Sequence, residues 1–125
     1  MRSPAETAII VYETNPFWGP ELQRQFFNSP IAICECRAIV DLAQIAEPFR
    51  SGLFVVDLAA DLAGTIHWLR QTQRTRTNRW PVIAIGSAET LTMEWNLREA
   101  GVTAYLPDFV GGDEFAKLCR RQLGL

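Results

Sequence analysis

Three apolar runs in this chain hardly alternate: TAIIVYE (7–13), LFVVDL (53–58) and PVIAIG (81–86). A strand with one wet face alternates polar and apolar residues, so runs like these are buried on both faces. A parallel sheet covered by helices on both sides buries strands in that way. Two further runs, IAICEC (31–36) and TAYLP (103–107), have the length and composition of strands.

The segments between the runs read as helices. Pro20 after Gly19 suits a helical first turn, with Leu22 and Phe26 four apart on one face. Asp41 followed by Gln44 predicts a capping box, with Leu42, Ile45 and Ala46 facing the core and Gly52 as the stop. Leu62, Ile66 and Leu69 space a third helix that runs into RQTQRTRTNR (70–79). Thr90 or Thr92 starts a fourth, with Met93, Leu97 and Ala100 on one face and Gly101 at its end. Asp113 is expected to cap a fifth, which carries Phe115, Leu118, Cys119 and Gln122 in register. Its Lys117, Arg120 and Arg121 lie toward the C-terminal end, where the helix dipole favours cations.

Strand and helix alternate five times over 125 residues. That predicts one domain, 1–125, of class α/β: a three-layer α/β/α sandwich around a five-stranded parallel sheet in the flavodoxin-like order 2-1-3-4-5. In such sheets the functional edge lies beyond the carboxyl ends of the strands. Those ends carry Tyr12 and Glu13, Asp57 and Leu58, Gly86 and Ser87, and Pro107 and Asp108. Asp57 follows four apolar residues directly, so it is the first candidate for chemistry.

Composition narrows the function classes. A net charge of −2 and a pI near 5.4 argue against binding nucleic acid or a membrane by bulk charge. The odd count of three cysteines is a poor disulfide framework, and Cys34 and Cys36 share one strand face as small buried hydrophobes. Zinc is not expected, because His67 is the single imidazole. The apolar core of MRSPAETAIIVYE is too short for a signal peptide, and no stretch approaches the roughly 18 apolar residues of a membrane span. A soluble, cytoplasmic protein is the expectation.

Enzyme signatures are missing: there is no G-x-x-x-x-G-K-[ST], no G-x-G-x-x-G and no G-x-S-x-G. The turn ETNPFWGP (13–20) lacks a phosphate cradle, so neither an enzyme nor an organic cofactor is expected. Arg70, Arg74, Arg76 and Arg79 form a basic segment, read as a solvated helix end; a nucleic-acid-contacting adaptor is the lower alternative. His67 beside Trp68 reads as a helix surface or boundary residue. Trp18, Trp95 and Phe109 are aromatics of the kind enriched at protein interfaces.

At IIVYE (9–13), FVVDL (54–58), PVIAIGS (81–87) and GVTAYLPD (101–108) the chain resembles the receiver domain of bacterial two-component response regulators, over essentially its whole length. The resemblance implies phosphoryl transfer from a histidine kinase to an aspartate. Two acids after the first strand hold Mg²⁺, while a hydroxyl after the fourth strand and a Lys after the fifth bind the phosphoryl oxygens. Asp57 matches the acceptor. Glu13 matches the second acid, and Tyr12 replaces the first. Gly86 falls at the hydroxyl position, with Ser87 directly after it. Asp108 falls at the Lys position, preceded by Pro107 and followed by Phe109. Tyr105 matches the aromatic that rotates in the family on phosphorylation. Leu58, Ala59, Ala60 and Asp61 replace the family's usual Met-Pro-containing loop.

Glu13, Asp57 and Asp108 are then expected to form an acidic pocket. Glu13 and Asp57 could hold Mg²⁺, but the cluster disfavours a phosphoryl group. The expected protein is a degenerate pseudo-receiver: a protein–protein signalling module independent of phosphorylation. A working receiver that accepts phosphate on Asp57, uses Ser87 and points Asp108 outward is the alternative. The resemblance also implies contact with a protein partner, or a homodimer, through the face of the fourth helix, fifth strand and fifth helix. Trp95, Tyr105 and Arg120 are its candidates.

Overall fold

Ala8, Ile9, Ile10 and Val11 are fully buried, as are Leu53, Val55, Val56 and Val82 to Ala84. These continuous runs are the middle of the sheet. The computed structural model describes residues 6–75, 80–87, 89–108 and 110–125. The strands are β1 (Thr7–Tyr12), β2 (Ala32–Cys36), β3 (Ser51–Asp57), β4 (Val82–Gly86) and β5 (Ala104–Pro107). All pair in parallel, in the order β2-β1-β3-β4-β5. The register sets Tyr12 beside Val56, Asp57 beside Ile85 and Gly86 beside Pro107, which lines up the carboxyl ends.

The helices are α1 (Trp18–Gln25), α2 (Leu42–Ala46), α3 (Leu62–Thr75), α4 (Glu94–Ala100) and α5 (Gly112–Gln122). Alternation along each strand divides the apolar residues between two cores. Ile10, Tyr12, Phe54 and Val56 pack with Leu42, Leu69 and Leu97, so α2, α3 and α4 cover one face. Ile9, Val11, Leu53, Val55 and Ile83 pack with Leu22, Phe115 and Cys119, so α1 and α5 cover the other. Rings tie the layers together: Trp18 meets Phe115 edge-on at 4.9 Å, and Phe54 meets Trp68 edge-on at 5.1 Å. Each large side chain buried in this way contributes roughly 2 kcal/mol. The architecture is the three-layer α/β/α sandwich that the strand pattern predicts.

Several local expectations fail, for identifiable reasons. Gly52 does not end a helix; it lies inside β3, where a Cβ would run into the Ala8 carbonyl and the Trp80 ring. Asp41 caps nothing, because it belongs to the short 3-10 turn Ile39–Asp41 and its backbone is already helical (φ −88°, ψ −9°). Asp113 lies within the first turn of α5 and accepts a hydrogen bond from Gln25 Nε2 at 2.7 Å, which ties α5 to α1. Gly101 does end α4: at φ 125° it suits glycine, and its N–H donates to the Arg98 carbonyl.

Cys34 and Cys36 share one core face as free thiols. Burial pushes both thiols up and takes Cys119 up to about 12, so they behave as small hydrophobes. Among the described residues no helix is long and apolar enough to cross a membrane.

Candidate functional site

Asp57 ends β3 at the carboxyl edge and is half-buried. Its Oδ1 accepts the Ala59 N–H at 3.1 Å, and the Leu58 N–H donates across to the Ile85 carbonyl at 2.9 Å. Partial burial pushes the carboxyl above the usual aspartate range. The Ala59 N–H works against that rise, whereas the negative charges of Glu13 and Asp108 add to it. Both neighbouring acids thus act on Asp57 at this edge. Asp108 is exposed, and its backbone N–H donates to the Gly86 carbonyl at 2.8 Å.

Glu13 has a different surrounding. It is only 2% exposed, and its carboxylate accepts three backbone N–H groups at the start of α1. Phe17 and Gly19 donate to Oε2 at 3.0 and 2.9 Å, and Trp18 donates to Oε1 at 3.0 Å. The first N–H groups of a helix have no partner within it and carry the positive end of its dipole, so a carboxylate there is doubly favoured. Phe17, the residue in the cap position, makes no side-chain bond. Tyr12, where the resemblance has another acid, is buried in the core at 4% exposure. Burial, and after it the charge of Asp61, holds its phenol above the ordinary value.

A hard divalent cation takes several oxygens turned to one point. Both Glu13 oxygens are turned into the α1 amides instead, and among the described residues no group of three or more His, Cys, Asp or Glu is arranged to hold a metal. The Glu13 carboxylate is thus met by backbone amides at this corner.

The end of β4 adds what sequence reasoning missed. The Tyr105 hydroxyl points inward, 2.9 Å from Thr90 Oγ1 and 3.2 Å from the Ser87 carbonyl. Thr90 Oγ1 accepts the Ser87 N–H at 2.9 Å. The Ser87 hydroxyl is used locally, accepting the Glu89 N–H at 3.2 Å. Thr90 had been visible only as a helix start. Asp61 was not singled out as a cap, yet its Oδ1 accepts the Gly64 N–H at 2.9 Å at the start of α3. A carboxylate just before a helical run was a sufficient signal for that cap.

Of the surface candidates, Trp95 is 73% exposed and Leu91, four residues before it, is 55% exposed. Tyr105 is half-buried by its inward bonds. The Arg120 guanidinium lies 4.7 Å over the Phe26 ring, which turns it toward α1 rather than α4. His67 and Arg70 are exposed on α3. Arg76, Arg79 and Phe109, together with the Arg74 side chain, lie outside the described residues.

Neither a protein-family model nor a curated protein sequence matches this chain. Solved structures do. The receiver domain of the TMAO respiratory system response regulator TorR aligns with a TM-score of 0.79 at 15% identity, covering 94% of this chain and 97% of that one. The N-terminal signal receiver domain of a response regulator from Bacteroides fragilis gives 0.79 at 12% identity over 94% and 96%. The receiver domain of a sensor histidine kinase from Pseudomonas aeruginosa, solved with a magnesium ion in its active-site cleft, gives 0.74 at 18% identity over 94% and 98%. The parallel sheet, its strand order and its flanking helices are those of the receiver-domain fold.

Proposed function

We propose that this chain is a receiver-like signalling domain that works through protein contacts and not through phosphorylation. The observation that carries the reading is the charge around Asp57: both charged groups that shift it, Glu13 and Asp108, are anions. Phosphoryl transfer relies on cations to stabilise the transferring group. A phosphoryl group on Asp57 would add negative charge where the neighbouring charge is already negative. Gly86 offers no hydroxyl, and the Glu13 carboxylate is engaged by α1, unlike a free metal ligand. In this reading the domain is a degenerate receiver that is not an enzyme and needs no cofactor.

The contact surface in this reading is the exposed side of α4 and of the turn Leu91–Met93 before it, centred on Leu91 and Trp95, with β5 and α5 beside it. Large exposed aromatics serve as interface anchors. The partner is another protein or a second copy of the chain. The test is incubation with Mg²⁺ and acetyl phosphate, followed by mass spectrometry of the peptide containing Asp57. The expected result is no adduct. A phosphoryl adduct on Asp57 would overturn the reading in favour of a working phosphoacceptor.

A further inference from the structure

Gly86 and Tyr105 fit one another. β4 and β5 pair with Ala84 beside Tyr105 and Gly86 beside Pro107, so the phenol can reach along the edge of β4. A Cβ added at Gly86 would fall well inside contact of the Tyr105 hydroxyl and of Thr90 Oγ1. Any other residue there must displace one or both.

The polar groups close a ring. The Ser87 carbonyl receives the Thr90 N–H at 3.1 Å and has both hydroxyls, Thr90 Oγ1 and Tyr105, at 3.2 Å. The Ser87 N–H donates to Thr90 Oγ1, and the two hydroxyls lie 2.9 Å apart. Each hydroxyl has one proton, and two arrangements satisfy the set. In one, Tyr105 donates to the Ser87 carbonyl and Thr90 donates to Tyr105. In the other, Tyr105 donates to Thr90 and Thr90 donates to the Ser87 carbonyl. The ring ties β5 to the residue immediately before the turn Leu91–Met93, and Trp95 follows two residues after that turn.

We infer that Gly86, Thr90 and Tyr105 form a lock that holds the start of α4 in one position, so the Leu91–Trp95 surface is presented without any chemistry at Asp57. Its functional meaning rests on the reading of that surface as the contact site. The lock itself does not.

The chain has two tyrosines, Tyr12 and Tyr105, so fluorotyrosine labelling gives two fluorine NMR signals, assigned with Tyr12→Phe. The expected Tyr105 signal is single, free of exchange broadening and unmoved by Mg²⁺ with beryllofluoride. Gly86→Ala should shift it toward the position of free tyrosine. Thr90→Val, which leaves the backbone of β4 alone, should also shift it. A wild-type Tyr105 signal split or broadened by exchange, or one unmoved in folded Gly86→Ala or Thr90→Val, overturns the lock. Acetyl phosphate on the same sample separates the two proposals. An adduct on Asp57 with an unmoved Tyr105 signal sinks the phosphorylation-independent reading and keeps the lock. An unmodified Asp57 with an exchanging Tyr105 does the reverse.

Discussion

Glu13 and Asp57 are carboxylates at the carboxyl ends of neighbouring strands, and their environments are opposite. Glu13 is the more deeply buried, yet its two oxygens accept three N–H groups at a helix N-terminus. Asp57 is less buried, has the Ala59 N–H at one oxygen, and feels two anions. Depth of burial therefore does not rank these acids. What ranks them is how many donors meet the charge once water has been removed. One corner of the edge is a completed structural joint. The other is a strained charge with solvent still near it.

The largest effect expected from this contrast is at Glu13. Glu13→Ala leaves the amides of Phe17, Trp18 and Gly19 without their acceptor at a buried corner. Hydrogen bonds to a charged group each contribute about 1.5–3 kcal/mol and are not additive, so a loss of about 3 kcal/mol is expected in urea unfolding. Glu13→Gln keeps one acceptor oxygen but turns an NH₂ toward an amide, so its loss should be smaller, about 1–2 kcal/mol. If Glu13→Ala unfolds with the wild-type midpoint, water replaces the carboxylate and the corner is not a joint.

Asp57 should respond in the opposite direction. Its folded pKa is raised, so its contribution to stability is fully present below the unfolded aspartate value, about 3.9, and is lost as pH rises through the folded value. Asp57→Asn removes the ionised form and keeps an oxygen for the Ala59 N–H. A gain on the order of 0.5–1 kcal/mol at neutral pH is expected, shrinking to nothing in acid. Equal unfolding midpoints for wild type and variant at neutral pH would mean that the charge of Asp57 is well accommodated, and the contrast with Glu13 would disappear.

Much of this edge was legible in the sequence because strand ends are local. Continuous apolar runs give the buried parallel sheet, and Asp57 stands at the end of such a run. The role of Glu13 was not legible. Capping rules read the residue beside the helix, here Phe17, whereas the acceptor lies four residues upstream and is brought back by the turn. Asp41 and Asp113 fail for the converse reason: they have the right residue type, but a 3-10 turn absorbs one and a bond to Gln25 takes the other. Gly86 looked like a lost hydroxyl. Its positive role emerges only when the β4–β5 register brings Tyr105 and Thr90 to it, a long-range pairing that no single-segment pattern encodes.

The smallest expected effect separates the influence of the Asp108 charge on Asp57 from that of burial. Asp108 is exposed, so water and salt weaken its action on Asp57. Asp108→Asn should lower the Asp57 pKa slightly, and Asp108→Lys should lower it further by replacing repulsion with attraction. On stability both changes should stay within about 0.5 kcal/mol, as expected for a surface position. Side-chain NMR titration of Asp57 in low and high salt resolves the order: wild type highest, Asn between, Lys lowest, with the spread narrowing as salt is added. Burial and the charge of the buried Glu13 are common to all three proteins, so together they set the floor the proteins share. Three coincident titrations would assign the raised pKa of Asp57 to burial and to Glu13, and the case for a site hostile to a phosphoryl group would lose the part that Asp108 supplies.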